Sequence, residues 1–230
     1  MTLIATDKLS AFYENKQVFA DLSFNVNEGE YLCIIGENGS GKTTLMRCIL
    51  GFDVKHTGSV MLNGFSRRDI GWLPQKTAFE KDFPASVEEV VMSGFAGIGF
   101  MGLRYTKTQK QTAQKNMELL EIEKLKSNAF EELSGGQKQK VLLCRALCSA
   151  CRVLLLDEPV NGLDPASQKE FYDLIDKLHK GGMTVIMISH HIKRSFANAV
   201  KILHLSDNGY FFGSISEYMA SELYECGRIL

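Results

Sequence analysis

Residues Tyr31 to Leu50, YLCIIGENGSGKTTLMRCIL, constrain the fold more than any other stretch. Tyr31 to Ile35 is short, apolar and rich in β-branched and aromatic residues, the pattern of a buried strand. The last part has the pattern of a helix. Between them stand Gly36, four intervening residues, then Gly41, Lys42 and Thr43, the Gly-x-x-x-x-Gly-Lys-Thr spacing of a phosphate-binding loop. Glycines at Gly36, Gly39 and Gly41 let the backbone turn its N–H groups inward, and the following helix adds unpaired N–H groups and its dipole. Lys42 is placed to reach terminal phosphates as a point charge. The Thr43 hydroxyl is placed to ligate a magnesium ion.

The rest of the chain supplies a sheet and helices around that loop. A short strand is predicted over Lys8 to Phe12, with Tyr13 opening a polar turn. Phe19 to Val26 alternates Leu22, Phe24 and Val26 with polar residues, as an antiparallel strand does. Gly51 to Gly58 reads as a turn region before a strand over Ser59 to Leu62, and Ile70 to Leu73 is a further short strand closed by Pro74. Ser86 caps a helix start, and Thr108 to Ile122 has helical spacing in Ala113, Met117 and Leu120. Between them GFAGIGFMG, Gly94 to Gly102, is apolar yet glycine-rich. It reads equally as a partner contact or a buried turn.

At Leu133 the chain reads LSGGQKQKVLLCRAL, a Ser-Gly-Gly turn opening a helix and thus a second anion site or a plain helix cap. Val153 to Leu156 is a fully apolar strand running into Asp157 and Glu158, two carboxylates whose burial is costly without a partner or a role. Asp164 and Pro165 start another helix, Thr184 to Ser189 is a buried strand ending at His190 and His191, and a hairpin with a short helix closes the chain. Strands alternating with helices predict an α/β fold with a largely parallel sheet.

Composition narrows the function. With 45% hydrophobic and 23% charged residues the chain is neither disordered nor repetitive, and a formal net charge of −1 gives no reason to expect a nucleic-acid partner. No apolar run approaches the ~20 residues of a membrane span, and the N-terminus lacks the pattern of a secretion signal, so a cytoplasmic location is expected. Six cysteines are scattered without the density of a disulfide framework. Cys144, Cys148 and Cys151 lie at helical spacing, and buried thiols are favoured there over a soft-metal site.

The phosphate loop, LSGGQ, and an apolar strand ending in Asp-Glu stand in one chain in that order. Together they resemble the ATP-binding subunit of an ABC transporter, over almost the whole sequence. The resemblance implies a P-loop NTPase core, residues 1–75 and 133–230, with an antiparallel β subdomain, and a helical subdomain over 76–132. It implies that ATP lies on the Walker A residues Gly36, Glu37, Asn38, Gly39, Ser40, Gly41, Lys42, Thr43 and Thr44, with adenine against Tyr13. It places Mg2+ on Thr43, Gln75 of the Q-loop and Asp157 of Walker B. Glu158 stands at the catalytic base, Asn161 to Asp164 at the D-loop and His190 at the switch histidine. Ser134, Gly135, Gly136 and Gln137 are the signature, which in this family closes on the nucleotide of a second subunit, implying a homodimer.

Val160 and His191 depart from the family's usual Thr or Ser and Asp, which touches the choice of His190 over His191 but removes no catalytic group. IGWLPQK followed by DFPASVEEVVMSG resembles the zinc/manganese-type importers. The expectation is therefore an ATP-hydrolysing subunit at the cytoplasmic face of the membrane, working with separate permease subunits and an extracytoplasmic substrate-binding protein. The ATPase of an iron-chelate importer and a soluble, non-transport ABC ATPase are the alternatives.

Overall fold

The computed structural model describes residues 1–13, 16–75, 84–95, 105–149, 151–189, 199–206, 208–221 and 223–224. The chain divides into two compact units, one of Met1–Arg67 with Gly182–Leu230, the other of Arg68–Gly181. His190 and His191 lie outside the described residues, as does most of the Gly94 to Gly102 stretch.

In the first unit, strands β1 (Thr2–Tyr13), β2 (Lys16–Asn27) and β4 (Lys55–Leu62) form an antiparallel sheet in the order β2-β1-β4. Strand β3 (Tyr31–Gly36) leads into helix α1 (Lys42–Leu50) and lies between β7 (Thr184–Ile188) and β8 (Lys201–Ser206), parallel to both. Strand β9 (Gly209–Ser214) returns antiparallel to β8, and a short helix follows at Ile215–Met219. Every side chain from Tyr31 to Ile35 and from Thr184 to Ile188 is buried, as a strand covered on both faces requires.

Strands β1 and β4 differ from the sequence reading. The first strand is not Lys8 to Phe12 but begins at Thr2, because Lys8 takes φ +45° and the register shifts between Thr6 and Leu9, a bulge that breaks the period-two pattern. Ser10 and Ser23 hydroxyls accept from the amides of Asp21 and Lys8 at that irregularity, both at 2.9 Å. Strand β4 likewise begins at Lys55, inside the stretch read as a turn. Gly58 marks the bulge there, since a Cβ would strike the Lys8 carbonyl oxygen.

The second unit pairs β5 (Ile70–Leu73) parallel to β6 (Val153–Asp157), Ile70 opposite Val153. Its helices are α2 (Val87–Met92), α3 (Lys107–Leu119), α4 (Gly135–Leu147) and α5 (Pro165–Lys180). Helix α4 contacts α2, α3 and α5. Each helix is started by its sequence: Ser86 with Glu89, Thr106 with Gln109 and Ser134 with Gln137 form capping boxes, and Asp164 caps α5 ahead of Pro165. Helix α3 stops short of the expected Ile122, and Glu121 beyond it turns left-handed at φ +59°. Cys144 and Cys148 are buried free thiols, and burial pushes the Cys151 thiol up to about 12. Among the described residues no three metal-capable side chains stand together.

Candidate functional site

The loop between β3 and α1 is shaped by contacts that admit no side chain at its first glycine. At Gly36, φ is +145°, and a Cβ would run into the Leu205 carbonyl oxygen of β8 and lie 2.7 Å from Ser40 Oγ. The loop ends at Gly41, which caps α1 in a left-handed conformation with the Val18 and Phe19 side chains against it. Lys42 is buried, and its Nζ donates to the Gly36 and Glu37 carbonyl oxygens at 2.8 and 2.7 Å. The ammonium is thereby drawn back over the loop's own curve.

Such a loop fits phosphate. The amides of Asn38, Gly39 and Gly41 donate to no group among the described residues, while that of Ser40 is tied to the Glu37 carbonyl at 3.2 Å. Ser40 Oγ is buried and has no hydrogen-bond partner among the described residues, an arrangement that costs free energy unless an acceptor or donor arrives. Thr43 is exposed in the first turn of α1. Beside Val18 and Phe19 a recess of about 170 Å³ opens, walled also by Gln17, Leu205, Ser206 and Tyr210. Tyr13, at the end of β1, is 72% exposed, so its ring has a face to offer a planar partner.

The second unit carries the acidic residues. Asp157 ends β6 with 2% of its surface exposed. Glu158 then leaves the strand at φ +48°, a left-handed backbone that a non-glycine residue holds at a cost of about 1–2 kcal/mol. Strain of this kind is concentrated at working sites. Gln75 Nε2 donates to Glu158 Oε2 at 2.7 Å, and Asn161 Nδ2 donates to the same oxygen at 3.3 Å. Sequence reasoning assigned Gln75 to a metal. The structure commits the nitrogen of its amide to Glu158 and brings in Asn161, the first D-loop residue, whose contact with Glu158 the motif did not indicate.

Ser134 and Gln137 are engaged with each other. The Ser134 amide donates to Gln137 Oε1 at 3.0 Å and the Gln137 amide to Ser134 Oγ at 3.3 Å, which leaves the Ser134 O–H as a donor. Gly136 has a packing reason beyond any anion, because a Cβ there would stand 2.7 Å from Ser167 Oγ in the first turn of α5. Ser167 in turn donates its amide to Asp164 Oδ1 at 3.0 Å. The Ser167 hydroxyl and amide, with the Ala166 amide, hold the Asp164 carboxyl below the usual range. A cavity of about 330 Å³ opens on Ser134, Gly136, Gln137, Ser167 and the Lys140–Glu170 ion pair.

The family described as ABC transporter matches residues 19–161 of this chain. The chain belongs to the ABC transporter family. Similarity extends beyond that segment. The manganese transport system ATP-binding protein MntB of Halalkalibacterium halodurans is 32% identical over 226 residues, 96% of this chain and 90% of that protein. The zinc uptake system ATP-binding protein ZurA of Listeria innocua is 32% identical, covering 94% and 87%. A solved structure described as an inward-facing conformation of a metal-chelate type ABC transporter has a TM-score of 0.86 at 30% identity, over 94% of this chain and 85% of that one. A nucleotide-free ATP-binding cassette has a TM-score of 0.83 at 21% identity and shares the fold.

Membership makes the chain an ABC ATPase, binding ATP and hydrolysing it to power transport. ATP-binding subunits of such systems work with membrane permease components. No described helix of this ABC ATPase is long and apolar enough to cross a membrane.

Proposed function

We propose that this ABC ATPase drives import of a metal ion, zinc or manganese, as a peripheral subunit on the cytoplasmic face of the membrane. The observation that carries the substrate class is the 32% identity, over nearly the full chain, to ATP-binding proteins named for manganese and zinc transport. Import of a metal chelate such as an iron complex is the second reading, favoured by the 30% identical structure named for that class. The helical segment 76–132, a smaller piece than the compact unit Arg68–Gly181, is the part we assign to the permease contact.

In this reading the phosphates of ATP lie on residues 36–44. Lys42 exchanges the Gly36 and Glu37 carbonyls for phosphate oxygens, trading neutral acceptors for charged ones. The Asn38, Gly39 and Gly41 amides and the Ser40 hydroxyl gain acceptors, and Tyr13 stacks on adenine. Thr43, Gln75 and Asp157 offer the oxygen donors that Mg2+ prefers, and an ion held by them would supply positive charge beside the phosphates. Glu158 accepts a proton from, or orients, the attacking water. His190 is assigned to the γ-phosphate by its place in the motif order alone. Ser134, Gly135, Gly136 and Gln137 of a second copy close on the nucleotide, Ser134 through its O–H and the glycines through the amides opening α4. An extracytoplasmic binding protein delivers the substrate to the permease.

Uptake of radioactive manganese, zinc and an iron chelate by cells with and without the chain tests the substrate class, with Lys42→Ala as the hydrolysis control. Loss of manganese or zinc uptake in both strains is the expected result. Loss of chelate uptake alone would replace the proposal by the second reading.

A further inference from the structure

We infer that Asn161 is a positioning residue for the Glu158 carboxylate, an inference that rests on Glu158 acting as the base in hydrolysis. Two amides converge on one oxygen of Glu158, Gln75 at 2.7 Å and Asn161 at 3.3 Å. They differ in what holds them. Asn161 belongs to the same turn as Glu158: its backbone N–H donates to the Glu158 carbonyl at 3.2 Å, so the side-chain and main-chain contacts close two rings between the same two residues. The turn is anchored from below, because Val160 is 3% exposed and its carbonyl accepts from the Leu163 amide at 3.2 Å. Val160, where the family has Thr or Ser, is thus the buried foot of the turn that presents Asn161.

Glu158 needs such a partner. Its side chain has three rotatable bonds, its residue is only partly buried, and its backbone leaves β6 at φ +48°. Nothing in the strand ladder therefore fixes where the carboxylate points. Gln75 fixes it in this structure through Nε2, with Oε1 left for a Mg2+ ligand role, but it comes from a separate segment beyond β5, so a shift of that segment changes the bond. Asn161 moves with Glu158 and keeps its contact through the change. Holding Oε2 turns the second oxygen in a defined direction, and a base misaimed by about 1 Å loses much of its effect.

The test uses the purified full chain with ATP and Mg2+. Asn161→Ala is expected to lower kcat by roughly three- to tenfold, one hydrogen bond's worth, with KM for ATP unchanged. Asn161→Asp keeps the shape, removes the donor and sets a like charge beside Glu158, so it should lower kcat at least as far and covers the case in which the alanine variant folds poorly. In a Glu158→Ala background, Asn161→Ala should leave single-turnover hydrolysis where it was, because the residue it positions is gone. An unchanged kcat in both Asn161 variants, or an equal fall with and without Glu158, overturns the inference. A Glu158→Ala chain that turns over at the parent rate instead faults the base assignment, and the inference falls with it.

Discussion

Exchanging Gly36 and Gly39 for alanine one at a time separates the shape of the phosphate loop from its glycine content. At Gly36 the added Cβ would meet the Leu205 carbonyl oxygen and Ser40 Oγ, and Leu205 cannot withdraw cheaply because it pairs with Gly36 in the β3–β8 ladder. Backbone strain of about 1–3 kcal/mol and overpacking of about 1–3 kcal/mol add to about 2–6 kcal/mol. At Gly39 φ is +86° but nothing lies within 4 Å of the Cβ position. Only left-handed strain remains there, about 1–2 kcal/mol. For a chain of this size each kcal/mol moves Tm by about 2–4 °C, so Gly36→Ala should melt at least about 4 °C below the parent and below Gly39→Ala. Thermal unfolding followed by near-UV circular dichroism measures both. Binding of a fluorescent ATP analogue, taken below either melting point, should weaken more in Gly36→Ala because Ser40 is displaced with it. A Gly39→Ala chain that melts as low as Gly36→Ala would refute the argument, since the contact with Leu205 would then not be what demands glycine.

Three further outcomes are expected. Glu158→Gln should cut hydrolysis by roughly 10²–10⁴-fold while ATP binding survives, and size-exclusion chromatography with ATP and Mg2+ should show a dimer that Ser134→Arg removes; hydrolysis at the parent rate would sink the catalytic assignment. Tyr13→Ala should weaken affinity for adenine nucleotides and Tyr13→Phe should not, so a phenylalanine variant as weak as alanine excludes stacking. Burial raises the Glu30 carboxyl, but the Asn27 amides and Lys201 outweigh it and hold it below 4.5. Its contribution is therefore complete above that value and lost as pH falls through the lowered one, and the stability gap between the parent and Glu30→Gln, read by urea unfolding, should close on acidification below about pH 4.

What could be read from the sequence follows from which elements are covered on both faces. Val153 to Leu156 and Val185 to Ile188 are unbroken apolar runs because both faces are buried, and no irregularity interrupts them. The antiparallel sheet hid its extent, since left-handed Lys8 and Asp21 and the bulge at Gly58 shift the alternation in the strands concerned. The caps at Ser86 and Ser134 were legible for a local reason, since a Ser three residues ahead of Glu or Gln satisfies both amides without help from elsewhere, while the Thr106 cap was missed because the helix was read from Thr108. The site was legible as an order of motifs. Its hydrogen bonds were not, because a motif fixes where Gln75, Lys42 and Asn161 stand along the chain and leaves their rotamers to the surroundings.

Those hydrogen bonds bear on how ATP energy is spent. In the proposed reading Lys42 exchanges two neutral carbonyls for phosphate oxygens, whereas Gln75 holds Glu158 through Nε2 and keeps Oε1 for a metal. A neutral hydrogen bond is worth about 0.5–1.5 kcal/mol and one to a charged group about 1.5–3 kcal/mol, so the Lys42 exchange is favourable by roughly 1 kcal/mol per bond. Gln75 needs none, because its amide nitrogen can hold the carboxylate while its amide oxygen faces a cation. Ser134 needs no exchange, since its oxygen caps α4 while its O–H remains to donate. A nucleotide too short to engage Lys42 should therefore forgo the gain of that exchange. Titrating the parent and Lys42→Ala chains with ATP and with AMP tests this: an equal loss of affinity for both nucleotides on the substitution would contradict it.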